Sequence, residues 1–133
     1  MVNYNLRAKD VMSVELATIL DDATVAEAAQ LMRLEGVRSL VVERHDEQDA
    51  YGIVTFSDIC SRVLANGRDP SQVKVEEIMT KPAVTIAPML EVKYVARLFR
   101  QVGISHLPVV EDGKLAGIVS MTDLVTELIP EPE

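Results

Sequence analysis

Gly52-Ile53-Val54-Thr55-Phe56-Ser57-Asp58 recurs in the same chain as Gly117-Ile118-Val119-Ser120-Met121-Thr122-Asp123. In each stretch an apolar strand ends, a hydroxyl residue follows, and an aspartate comes three positions later on what reads as the first turn of a helix. Ser/Thr-x-x-Asp before an apolar run is the signature of a capping box, so both stretches predict a strand-to-helix turn. Two copies of one such turn point to an internal repeat, and a repeat decides the fold before any single element does.

Outward from these turns the copies stay in register. Shifted by 67 positions, Met12 falls on Met79, Thr18-Ile19 on Thr85-Ile86, Val25 on Val92, Ala29 on Ala96 and Leu31 on Leu98. Gly36 falls on Gly103, Leu40 on Leu107 and Val42 on Val109. Past the acidic loop His45-Asp46-Glu47-Gln48-Asp49, two residues longer than its counterpart around Glu111-Asp112-Gly113-Lys114, the shift becomes 65 and brings the two turns into line.

Each copy reads as one series of elements. A short helical start (8–12; 75–79) leads to a strand ending in Thr-Ile. Thr24-x-x-Glu27 caps a helix whose Val25, Ala28, Ala29 and Met32 recur at i, i+3, i+4 and i+7, and Val92, Val95, Ala96 and Phe99 keep that spacing. Gly36 and Gly103 stand where a helix end favours positive φ. A strand pair follows, 39–43 with 51–54 and 106–111 with 115–119; the second turns at Asp112-Gly113, a favoured hairpin dipeptide. The last helix carries Ile59, Val63 and Leu64, or Leu124, Val125 and Leu128. The fold class is α/β (α+β), with two β-α-β-β-α repeats over residues 7–65 and 75–129 joined by a linker over 66–74. Neither repeat is large enough to bury its apolar faces well alone, so the two are expected to pack by pseudo-twofold symmetry into one module. The tail Pro130-Glu131-Pro132-Glu133 is expected to fray.

Composition excludes several functions. The 133 residues suit one domain-sized body, and 48% hydrophobic residues with 26% charged suit a globular chain. With no Trp, two Phe and three Tyr, the core must be aliphatic. The net charge of −8 disfavours nucleic acid and anionic membrane as partners, though not a local pocket for one small anion. No apolar run approaches the roughly 20 residues of a membrane span, and the first residues have no signal-peptide pattern. One cysteine allows no internal disulfide, and the cytoplasm is the expected compartment.

No phosphate loop, Gly-x-Gly-x-x-Gly, His-Glu-x-x-His or Gly-x-Ser-x-Gly is present, so no catalytic residue and no metal ligand is assigned and no enzyme is expected. Cys60 reads as a small core residue, and Glu43, Asp46, Glu47 and Asp49 as a solvated turn. What remains is the duplicated turn. It can be a cap and nothing more, in a module for interaction or assembly. It can also hold a nucleotide, because a helix start suits a phosphate and a nearby carboxylate can accept hydrogen bonds from both ribose hydroxyls.

At these residues the chain resembles a tandem pair of cystathionine β-synthase (CBS) domains, a Bateman module. The resemblance covers about residues 7 to 129 and rests on Met12 and Met79, Thr18-Ile19 and Thr85-Ile86, Gly103-Ile104-Ser105-His106-Leu107-Pro108-Val109-Val110, and both Gly-Ile-Val-Thr/Ser-x-x-Asp segments. It implies a regulatory protein with clefts between the repeats for an adenosine-containing ligand: AMP, ADP, ATP or S-adenosylmethionine. By resemblance Asp58 would grip a ribose and Thr55 and Ser57 the phosphate, against a wall of Thr85, Ile86, Ile104, Ser105, His106 and Pro108. The second set would be Ser120, Thr122 and Asp123 facing Thr18, Ile19, Val37, Arg38 and Ser39. Arg38, His106 and the linker's Arg68 could meet phosphates. Val41 stands where the second repeat has Pro108, which favours the Asp58 set if one alone is occupied. The resemblance also implies a homodimer formed through helices, and an effector protein that reads the bound state.

Overall fold

The computed structural model describes Met1–Pro132; Glu133, the end of the tail expected to fray, lies outside the described residues. In chain order the elements are α1 (Ala8–Val11), β1 (Thr18–Ile19), α2 (Val25–Glu35), β2 (Ser39–Val42), β3 (Gly52–Thr55), α3 (Phe56–Ile59), α4 (Val92–Val102), β4 (His106–Glu111), β5 (Lys114–Ser120) and α5 (Met121–Leu128). They form two compact units that do not follow the sequence repeat. One is Leu16–Ala83; the other joins Met1–Glu15 to the chain from Val84 onward.

In the unit of Leu16–Ala83, β1 runs parallel to β2 with Thr18 opposite Val41, and β2 pairs antiparallel with β3 from Ser39–Thr55 to Val42–Gly52. Parallel neighbours need a crossover, which α2 supplies. The Thr24 side chain accepts from the Glu27 amide at 3.1 Å, and the Glu27 carboxylate accepts from the Thr24 amide at 3.4 Å, closing the expected capping box. Gly36 ends α2 at φ +67°. Val25, Ala28 and Met32 face a core of Leu40, Val42, Val54, Val63, Val73, Val75 and Ile78. Thr80 joins the sheet by a reciprocal pair of 2.9 Å bonds with Ile53.

Past α3 the chain widens into one π turn, Cys60–Leu64, closed by the Ala65 amide on the Cys60 carbonyl at 2.9 Å. Ile59 and Val63, four apart, take the buried stripe. Cys60 lies off that stripe and is exposed, which corrects its reading as a core residue. The acidic loop also differs from expectation at one position. Glu43, Asp46 and Glu47 are exposed, but Asp49 is half-buried, accepting from the His45 amide at 2.9 Å and from Lys81 Nζ at 2.7 Å. That contact holds the Asp49 carboxyl at about 2, below the usual carboxylate range, with the Lys81 hydrogen bond the largest cause and the His45 amide next. Outside the loop, Asp21 holds His45 Nε2 at 2.8 Å. The helical start expected over 75–79 is a single 3-10 turn, Val75–Glu77.

In the other unit β4 and β5 form an antiparallel hairpin, His106 opposite Ser120, with a bulge between Val109 and Val110. Its turn has positive φ at both Asp112 (52°) and Gly113 (76°), as the dipeptide predicts for a mirror-image turn. Val92, Val95 and Phe99 of α4 are buried, whereas Ala96 is exposed. Gly103 ends α4 at φ +73°. Residues 1–15 are integral to this unit: the Ala8 amide donates to the Leu90 carbonyl at 2.8 Å, and Ser13 and Ile118 exchange bonds of 2.8 and 3.0 Å.

The strand expected to end in Thr85-Ile86 shrinks to one parallel bridge, Ile86 with Val109. In the first repeat the Val41 amide donates to the Ala17 carbonyl at 3.2 Å and the Glu43 amide to Ile19 at 2.9 Å. Val110 to Ile86 at 2.9 Å reproduces the second bond. The first would need an N–H from Pro108, which has none.

Candidate functional site

Each unit contains one complete strand-to-helix turn and the residues that flank it. In the unit of Leu16–Ala83, Ser39 pairs with Thr55 across the sheet, and the Arg38 carbonyl accepts from the Phe56 amide at 3.0 Å. This stitches Val37, Arg38 and Ser39 to the start of α3 and therefore to Ser57 and Asp58. Thr18 and Ile19 lie on the far side of β2, next to Val41 and Val42. The second unit repeats the arrangement. His106 pairs with Ser120, the Ser105 carbonyl accepts from the Met121 amide at 2.8 Å, and Ile86 donates to the Pro108 carbonyl at 3.0 Å. Ile104, Ser105, His106, Pro108, Thr85 and Ile86 thus share a unit with Ser120, Thr122 and Asp123. The two walls that the resemblance assigns to one cleft belong to different units.

Ser39 and Thr55, 7% and 8% exposed, are buried polar residues in a core otherwise aliphatic. A hydroxyl is retained inside a core only where it is hydrogen-bonded. Thr55 meets that condition through Asp58: its hydroxyl donates to Asp58 Oδ2 at 3.0 Å and accepts from the Asp58 amide at 3.2 Å. The Thr55 amide also donates to Asp58 Oδ2, at 2.9 Å. One carboxylate oxygen is therefore committed to the cap, and Oδ1 makes no hydrogen bond among the described residues.

The second turn is less closed. Ser120 Oγ accepts from the Asp123 amide at 3.0 Å, but the Asp123 carboxylate makes no return bond. Both of its oxygens are unengaged among the described residues. Sequence equivalence alone does not disclose this difference, since Thr55 and Ser120 offer the same hydroxyl.

The remaining site residues vary in availability. Arg38 is exposed and forms no ion pair among the described residues, so its guanidinium can meet an anion. Ser57, Thr85, Ser105 and Thr122 are exposed, Ile86 and Pro108 buried, and Thr18, Ile19, Val37 and Ile104 half-buried. The Thr18 hydroxyl is already spent on Glu43 Oε1 at 3.1 Å, and Ser105 Oγ hydrogen-bonds His106 Nδ1 at 3.0 Å. Arg68, read as able to reach a phosphate, pairs with Glu77 at 2.9 Å. That contact lowers the Glu77 carboxyl, after the larger effect of the Lys74 amide. Among the described residues no group of three or more His, Cys, Asp and Glu could hold a metal ion, and no helix is long and apolar enough to cross a membrane.

Comparison with known proteins bears on the repeat. The CBS domain matches this chain twice, over residues 8–65 and 75–130. The chain belongs to the CBS domain family. It carries a tandem CBS pair, the Bateman module, in an α+β fold, and CBS pairs are regulatory modules. Among its relatives is the CBS domain-containing protein YhcV of Bacillus subtilis, 34% identical over 116 residues, which span 87% of this chain and 81% of that protein. Another is the uncharacterized protein MK0525 of Methanopyrus kandleri, 36% identical over 77% of this chain but only 52% of its own length. Among solved structures, the hexameric CBS-CP12 protein from bloom-forming cyanobacteria is 46% identical with a TM-score of 0.89, over 94% of this CBS pair and 67% of that chain. An uncharacterized conserved protein from Pyrococcus horikoshii is 30% identical with a TM-score of 0.85, over 98% of both chains.

Proposed function

We propose that this CBS pair is a non-catalytic energy or metabolite sensor whose ligand is an adenosine-containing molecule: AMP, ADP or ATP first, with S-adenosylmethionine also compatible. The observation that carries the reading is the duplicated turn with aspartate oxygens the fold does not use. A structural cap needs one carboxylate oxygen. Asp58 keeps Oδ1 in reserve, and Asp123 keeps both oxygens, which suits a pair of ribose hydroxyls. The exposed hydroxyls of Ser57 and Thr122, one residue before each aspartate, and the unpaired Arg38 supply phosphate contacts by the same logic. The bound state would then be read by an effector protein, in the cytoplasm.

Self-association is the second reading, and a surface pattern favours it. The end of each repeat exposes apolar residues four apart: Phe56, Cys60 and Leu64 along α3 and its π turn in one copy, Met121 and Val125 on α5 with Ile129 just past its end in the other. Leu64 and Ile129 are each 58% exposed, and an apolar row shared by both repeats, unlike singly scattered apolar residues, suits a contact surface. We propose that these stripes form a homodimer. The hexameric state of the CBS-CP12 relative supports assembly in chains of this kind.

Thermal melting with AMP, ADP, ATP, S-adenosylmethionine and NADH tests the sensor reading on wild type, Asp58→Ala and Asp123→Ala. A ligand at about 100 times its Kd raises stability by roughly 2.7 kcal/mol, a measurable rise in Tm. Loss of that rise in the variants is the expected result. No rise with any of the five ligands rejects the sensor and leaves the assembly reading.

A further inference from the structure

The two crossover helices share an inner face and differ on the outer one. Val25, Ala28 and Met32 of α2 are buried, as are Val92, Val95 and Phe99 of α4. Outside, α2 exposes Glu27, Arg33 and Glu35, whereas α4 exposes Lys93, Arg97 and Arg100 with no acidic residue along its length. Every one of the 21 Asp and Glu of this chain lies elsewhere. Position by position, Ala26 has become Lys93, Glu27 Tyr94, Gln30 Arg97 and Glu35 Val102. Tyr94, 41% exposed, stands between two of the cations, with Lys93 Nζ at 5.2 Å and Arg97 Cζ at 5.3 Å from its ring. Lys93 has one distant carboxylate, Glu91 at 3.8 Å; Arg97 and Arg100 form no ion pair among the described residues.

We propose that the outer face of α4 is a docking surface for an acidic polypeptide segment of a partner protein. Its three cations recur at i, i+4 and i+7 on one side of the helix, a row about 10 Å long that matches carboxylates spaced along a short peptide. Tyr94 adds an apolar plate beside the first two cations, Lys93 and Arg97, the residue type that anchors such contacts. In a chain of net charge −8 the face is a local exception, and an acidic segment guided there is repelled by the rest of the surface, which fixes where it lands. The surface uses none of the residues of the proposed nucleotide sites.

The test titrates a fluorescein-labelled oligoglutamate peptide with the whole chain at low salt, following anisotropy, with oligothymidylate of matched charge as a second arm. Wild type should bind oligoglutamate; the Arg97→Glu/Arg100→Glu variant should bind at least about tenfold more weakly with its melting temperature kept, and Arg33→Glu on α2 should bind as wild type does. Absence of binding by wild type overturns the proposal. So does binding that survives the charge reversal, and so does oligothymidylate binding as tight as that of oligoglutamate, which would make the face a nucleic-acid surface. A change of sedimentation in the α4 variant without peptide binding by wild type also overturns it, assigning the face to a second copy of this chain.

Discussion

The sulfur of Met12 occupies the space that Gly117 leaves open: a Cβ on Gly117 would come within 2.6 Å of it and 2.9 Å of the Ser13 carbonyl oxygen. Met79 stands over Gly52 in the same way with more room, the nearest atoms to a Cβ there being Val42 Cβ at 3.2 Å and, at 3.3 Å, both Met79 Sδ and the Thr80 carbonyl oxygen. Each methionine therefore packs on the glycine of the other repeat's turn, which is how the segments leading into the repeats are exchanged between the two units. Gly117→Ala should cost about 1–3 kcal/mol, because the Ser13 carbonyl oxygen at 2.9 Å cannot swing aside as a side chain can, whereas the Thr80 carbonyl oxygen stands off Gly52 at 3.3 Å. Gly52→Ala should cost less. Urea unfolding of the two variants gives the order; equal losses would contradict the tighter fit at Gly117.

That exchange was not legible in the sequence, and the reason is physical. A repeat register reports that Met12 is equivalent to Met79, but equivalence does not say whose sheet a segment joins. Local chemistry was legible where one residue decides a backbone state: Gly36 and Gly103 at positive φ, Asp112-Gly113 in the hairpin turn, and Thr24 with Glu27 in the cap. The second repeat's missing strand was readable in principle, since Pro108 removes the donor that Val41 provides, but its effect depends on which carbonyl faces it. At the candidate site the residue types were legible and their engagement was not. Thr55 and Ser120 look interchangeable on paper, yet only Thr55 donates back to the carboxylate of its aspartate. Cys60 is exposed because Ile59 and Val63 claim the buried stripe, a competition that a single residue's preference for interiors does not reveal.

Asp58 and Asp123 should separate structural from ligand-directed roles. Without ligand, Asp58→Ala removes two bonds from Thr55 and should lose about 1 kcal/mol of stability, as helix caps do. Asp123→Ala removes no side-chain bond and should lose only the few tenths of a kcal/mol that a carboxylate near a helix start contributes. Chemical denaturation of the two ligand-free variants measures both. Comparable large losses would make Asp123 a cap and weaken its assignment to ribose.

Lys81 and Asp49 make one part of the stability pH-dependent. The Asp49 carboxyl is lowered from 3.8 to about 2 in the folded chain, first by the Lys81 hydrogen bond. A depressed carboxyl contributes stability that is complete above its unfolded value and disappears as pH falls through the folded one. The contribution should therefore vanish between about pH 4 and pH 2. In Lys81→Met the Asp49 titration, followed by carboxyl NMR, should move up toward the ordinary value while staying below it, because the His45 amide still donates. An unmoved titration would assign the depression to the loop backbone alone.

Cys60 reports on the proposed homodimer because it sits in the middle of its stripe, between Phe56 and Leu64. In the isolated chain its thiol is exposed, so an aromatic disulfide reagent should label it without unfolding. If the stripes of the last helices cover one another in a dimer, the labelling rate should fall as protein concentration rises through the dimer Kd. Leu64→Asp with Ile129→Asp places charges where apolar contacts would form, and should give a monomer by sedimentation. Its Cys60 should then label at one fast rate at every concentration. Both substitutions are at exposed positions, so the fold should tolerate them within about 0.5 kcal/mol. A wild-type rate that does not depend on concentration, in a chain that sediments as a dimer, would place the dimer interface on another face.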